Sequence, residues 1–208
     1  MNSHNHNPKH LVFYFQVHQP KRLNKFQFFD IGSGKNYFND ALNEEILNRI
    51  VRTCYLPANA LLLDMIKINP AIRVAFSISG VVLDQFEQYT PEVIESFKAL
   101  AATGRVEFLS ETNYHSLASM IPGGEFEHQV KEHREKIHRL FGVHSSVFRN
   151  TELIYNDEIG LQVLRMGFKG ILCEGSEHVL EERTPYQVYH HAEEDGMNNK
   201  QKLVLRTY

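Results

Sequence analysis

The chain contains no tryptophan, only two cysteines and no strong excess of either charge, and each shortage removes a class of protein. Cys54 and Cys173 stand far apart, and neither belongs to a Cys-x-x-Cys pair. That excludes a disulfide framework and a cysteine-rich zinc site, and it fits a reducing compartment. The 22 basic and 25 acidic residues leave a net charge of -3. Binding to a phosphate backbone leaves a positive surplus in a sequence, so no nucleic-acid partner is expected. No apolar run approaches the ~20 residues needed to span a bilayer. The run at 11–17 has no basic stretch before it and no small-residue cleavage site after it, so it does not read as a signal peptide. A cytoplasmic protein without a membrane partner is the expectation. Residues 1–10, polar and rich in Asn and His, are expected to be disordered, with 11–208 forming one domain.

What is present is an alternation of short β-branched or aromatic segments with helical patterns. Strands are predicted at 11–17, 73–77, 105–109, 146–149, 169–173 and 203–206. Helices are predicted at 40–52, 57–68, 81–89, 91–102, 124–140 and 156–166, with Pro57 favourable as a helix start and Gly104, Gly142 and Gly167 as helix stops. Parallel neighbours need a crossover that a helix supplies, so the pattern predicts an α/β fold with a largely parallel sheet; periodicity alone leaves barrel and open sheet undecided. Polar residues follow the strand ends: His18 and Gln19, Ser79 and Gly80, Glu111, Asn150 and Glu152, Glu174. In parallel barrels catalytic groups come from the C-terminal ends of several strands, so one rim is expected to collect the chemistry.

Three segments of that rim carry the strongest signals. In Val17-His18-Gln19-Pro20 a strand delivers an imidazole and an amide, and proline then forbids its continuation. In the segment from Gly104 to His115, strand alternation puts Glu107, Leu109 and Glu111 on one face and Val106 and Phe108 on the other. With the Val/Phe face against the helices, both acids turn toward the barrel axis; a structural salt bridge is expected for Glu107 and a functional role for Glu111. In the segment from Val147 to Tyr155 a strand runs out into Glu152. The setting suits a glycosidase nucleophile, although an acid after a strand also serves as a helix N-terminal charge. Two signals are weaker. Gly32-Ser33-Gly34-Lys35 lacks phosphate-loop spacing. His128, His133 and His138 turn roughly 140° per step around a helix, cannot converge on one metal, and read as surface residues.

The segments HQPKRL, GRVEFLSETNYHSL and FRNTEL, in this order and at these separations, resemble successive regions of glycoside hydrolase family 57, in particular its α-amylase-like members. The resemblance runs from Leu11 to Tyr208. It implies a (β/α)7 barrel, a retaining mechanism on α-glucans such as starch, glycogen or maltooligosaccharides, no metal or cofactor, and Glu152 as the nucleophile. It also implies that His18 contacts the sugar, with Glu111 and His115 lining the same pocket; Gln19, Tyr114 and Asn150 complete the expected substrate-binding set. The family's general acid is an Asp after the strand begun by Leu203-Val204-Leu205-Arg206, and this chain has no such Asp. An incomplete barrel, truncated on its C-terminal side and inactive alone, is therefore expected. Lacking tryptophan, the chain is left with Tyr14, Tyr114, Tyr155 or Phe148 for stacking on sugar. Two other readings stay open: a metal-dependent polysaccharide deacetylase using His18, His115 and Glu111, and a non-catalytic glucan-binding piece.

Overall fold

The computed structural model describes residues 11–190 and 201–206; residues 1–10, where disorder is expected, lie outside them. Seven strands are formed among the described residues: β1 (Tyr14–Val17), β2 (Val74–Ile78), β3 (Val106–Leu109), β4 (Val147–Arg149), β5 (Gly170–Glu174), β6 (Val188–His190) and β7 (Lys202–Arg206). Parallel pairing gives the order β1-β2-β3 and then β4-β5-β7, with β6 antiparallel on β7. A parallel bridge between Ser110 and Phe148 joins the two groups. The α/β class with parallel strands is as the sequence implies. The short hairpin partner β6 is an addition that three residues of pattern could not announce.

The helices are α1 (Asp40–Ile50), α2 (Leu56–Ile68), α3 (Gly80–Tyr89), α4 (Pro91–Ala102), α5 (Glu125–Phe141), α6 (Asp157–Arg165) and the single turn α7 (Glu177–Leu180). Their starts and stops follow local chemistry. Asn39 and Asn156 cap α1 and α6, their side-chain oxygens accepting from Leu42 N at 3.1 Å and Ile159 N at 2.8 Å. Gly142 ends α5 with φ of 69°, a left-handed conformation that glycine adopts without penalty. One boundary departs from expectation. Pro57 does not separate two helices: a π-turn, Val51–Tyr55, carries α1 directly into α2. Leu56 N donates to Val51 O, and this wider turn just before Pro57 accommodates a residue that has no N–H to give.

Strand alternation sorts the core into layers. Phe76 and Phe108 turn to the helices and pack with Phe86, Phe97 and Phe141; burying each such ring is worth roughly 2 to 3 kcal/mol. A second cluster, with Phe126, Phe148 and Phe168, lies between β4, β5 and α5–α6. On the inner face Leu109, Leu153 and Leu172 meet Tyr14, Ala75 and Val204. The 107/109/111 face is therefore the inner one, as alternation requires. Glu107, at the opposite end of β3 from the rim, is exposed and accepts a hydrogen bond from Ser146 Oγ at 3.0 Å. Among the described residues no cation pairs with it, so the expected salt bridge is replaced by a neutral donor. Among the described residues no helix is long and apolar enough to cross a membrane.

Candidate functional site

The register Val17↔Ile78 and Ser77↔Leu109 levels the ends of β1, β2 and β3, so the residues that follow share one rim. Glu111, two residues beyond β3, is wholly buried. Its Oε1 accepts from Ser77 Oγ at 2.8 Å, and its Oε2 lies 2.8 Å from His115 Nδ1. Arg149, the last residue of β4 and also buried, places Nη1 3.9 Å from the same Oε2. Burial alone would push the Glu111 carboxyl up. The hydrogen bond from His115, with the charge of Arg149, reverses this and holds it below the usual glutamate range. Glu111 is thus an ionised acceptor, and the proton in its bond to His115 sits on Nδ1.

His18 completes this core. Its ring stacks on His115 with centroids 4.2 Å apart at 25°, and its Nδ1 lies 2.7 Å from Ser79 Oγ. Burial first, then the neighbouring His115, lowers its affinity for a proton. Glu152 stands opposite. Its side chain is 71% exposed, against 10% for His115, and its Oε1 lies 3.5 Å from His115 Nε2. The loops that carry these two residues are tied together by Thr112 Oγ1 and Thr151 Oγ1 at 3.0 Å. The structure thus assembles His18, Glu111, His115 and Glu152, residues that the sequence distributes over three strand ends.

The other three expected residues are engaged elsewhere. Gln19 donates to Tyr55 Oη at 3.4 Å and accepts from Arg22 Nη2 at 3.0 Å. Tyr114, half exposed, donates to Glu132 at 3.2 Å. Asn150 is fully buried, and its amide donates to Ser119 Oγ and Ile154 O, each at 2.9 Å, bracing the turn that presents Glu152.

Several contributors were not singled out by sequence reasoning. Gln16 Oε1 accepts from Arg149 Nη2 at 3.0 Å, while its amide nitrogen lies 3.4 Å from His115 Nε2; its place two residues before His18 on the same strand face was an available signal. Arg149 stands inside the FRNTEL segment. His133 is a correction: instead of a surface residue it is completely buried, beneath Glu111. Its Nε2 donates to Ile78 O at 2.8 Å and its Nδ1 accepts from Glu111 N at 3.4 Å. That pattern requires the neutral ring, and burial likewise lowers its proton affinity. His128 and His138 are exposed, as expected. Among the described residues no group of three His, Cys, Asp or Glu side chains has the geometry to hold a metal ion.

The chain is similar to several proteins of known description. The chain is 39% identical over 204 residues to the "Putative alpha-amylase" of Methanocaldococcus jannaschii, covering 95% of this chain and 41% of that protein. In structure it is similar to the 4-alpha-glucanotransferase of Thermococcus litoralis, with a TM-score of 0.67 and 19% identity over 93% of this chain and 27% of that one. It is also similar to the GH57-type branching enzyme of Pyrococcus horikoshii, with a TM-score of 0.64 and 12% identity over 95% and 47%. The chain spans less than half the length of each. The sequence model of Glycosyl hydrolase family 57 matches residues 12–208, and the chain belongs to that family.

Proposed function

We propose that this chain supplies the nucleophile side of the active site of a retaining glycosidase acting on α-glucans, with Glu152 attacking the anomeric carbon. The observation that carries this reading is the division of labour between two carboxylates at one rim. Glu111 is buried and committed to Ser77 and His115, whereas Glu152 is open to solvent at the end of a strand. A retaining nucleophile has to be held and reachable by a sugar, and Glu152, exposed on a braced turn, meets both conditions. His18 and His115 form the wall that a sugar in the cleavage subsite would touch. Gln19 and Tyr114 are chain neighbours of those two histidines, and Asn150 acts through the turn it braces. Relatives named for amylase, glucanotransferase and branching activity support an α-glucan such as starch, glycogen or a maltooligosaccharide as substrate.

Retention of configuration needs a second carboxyl, protonated and about 5 Å from the nucleophile. Glu111 is unsuited to that task because its surroundings hold it ionised. The acid is instead the Asp that the family resemblance places after the last strand, and this 208-residue chain alone is expected not to turn over starch. A substrate whose leaving group needs no protonation separates the two halves of the mechanism. With 5-fluoro-α-D-glucosyl fluoride, a Glu152 oxygen bonds to the anomeric carbon as the C–F bond breaks and fluoride departs with the electron pair. Intact-mass analysis should then show one sugar added, mapped to Glu152 and absent from Glu152→Gln. Labelling elsewhere, or none, would overturn the assignment.

A further inference from the structure

Four non-glycine residues among those described have positive φ: His115 (53°), Glu152 (54°), Leu153 (58°) and Glu181 (53°). Three of the four lie in the two loops that meet at the rim. A side chain in this region of backbone space crowds its own carbonyl, and such residues persist only where surrounding bonds over-determine them. Here they do. Thr112 Oγ1 accepts from Ser116 N at 2.9 Å across the His115 turn, His115 N donates to Thr112 O at 3.0 Å, and Asn150 braces the Glu152 turn from the other side.

The two strained turns leave one imidazole between two carboxylates. His115 Nδ1 is 2.8 Å from Glu111 Oε2 and its Nε2 is 3.5 Å from Glu152 Oε1. Exposure rises along the row, from 0% for Glu111 to 10% and then 71%, so a buried anchor holds a ring that in turn faces an exposed carboxylate. The other groups around the ring are accounted for. His18 stacks on its flank, Arg149 lies on the Glu111 side, and Gln16 Nε2, 3.4 Å away, is the alternative neighbour of Nε2.

We propose that His115 is the positioning residue of Glu152: anchored by Glu111, its ring stands between the two carboxylates and orients the Glu152 oxygens for attack. The inference rests on reading Glu152 as the nucleophile. A carboxylate held in one orientation attacks from a fixed geometry.

Trapping kinetics on the chain test this. With 5-fluoro-α-D-glucosyl fluoride at saturation, His115→Ala should label Glu152 about tenfold more slowly or worse. The reagent concentration for half-saturation should change little, and added imidazole should restore much of the rate. A wild-type labelling rate in His115→Ala overturns the inference and leaves Glu152 as nucleophile. So does a slower rate that imidazole does not rescue and that comes with a raised half-saturation, the mark of a mere sugar contact. If the alanine variant fails to fold, His115→Gln is the same test, a slowed rate in a folded protein being expected and a wild-type rate overturning the inference. No label on Glu152 of the wild type overturns the underlying reading, and this inference with it.

Discussion

His133 on α5 donates from Nε2 to the carbonyl of Ile78 at the end of β2, 2.8 Å away, while its other nitrogen receives the backbone N–H of Glu111 at 3.4 Å. One buried ring thus staples the ends of two strands beneath the rim. Replacing it by leucine strands a buried carbonyl and a buried N–H, each worth about 1 to 3 kcal/mol when left unpaired. Urea unfolding of His133→Leu should show a loss of about 2 kcal/mol or more. His128→Ala and His138→Ala, at exposed positions of the same helix, should each change stability by less than about 0.5 kcal/mol.

The titration of the rim gives stability a direction with pH. His18 and His133 bind protons less readily in the folded chain than the ordinary histidine value of 6.5. The unfolded chain therefore takes up protons first, and the stability these residues contribute, complete above 6.5, drains as pH falls below it. Glu111, held below its ordinary 4.5, has the same sign. Its contribution is present above that value and is lost as pH falls further, through its folded-state range. Melting temperature should therefore fall in two stages on acidification, and His133→Leu should remove much of the first. A flat melting profile from neutrality to pH 4 would contradict this.

Arg149 is 2% exposed, and its guanidinium lies 3.9 Å from buried Glu111. Removing one member of a buried charge pair leaves the other uncompensated, at a cost of about 3 to 5 kcal/mol. Arg149→Met should be destabilised by roughly that amount in chemical denaturation. Glu152→Gln removes a charge of the same sign as Glu111 from an open position, and it should leave stability within about 0.5 kcal/mol of wild type. The contrast separates a buried, committed carboxylate from an exposed one at the same rim.

Gly80 opens α3 against the loop after β3. A Cβ at this position would overlap the Asn113 side chain and approach its backbone carbonyl to 2.6 Å. Gly80→Ala should cost about 1 to 3 kcal/mol or more as overpacking. Because the carbonyl is part of the clash, trimming the side chain in Gly80→Ala/Asn113→Ala should recover only a fraction, as measured by the shift in thermal midpoint.

The sequence by itself determined the elements and the faces they present. Alternation placed the 107/109/111 face of β3 inward, and Gly142 marked a helix end. Three ordered segments pointed to the family. These signals are legible because they depend on neighbours within a few residues. Tertiary structure decided how each polar group is used. Nothing local distinguishes His133 from His128 and His138, and only packing against Ile78 and Glu111 buries it. Gln16 and Arg149 are hydrogen-bonded across 133 positions. Glu111 and Glu152 are both acids two or three residues beyond a strand. One became a buried anchor and the other an open carboxylate because desolvation and hydrogen bonding depend on partners that only the folded sheet brings together.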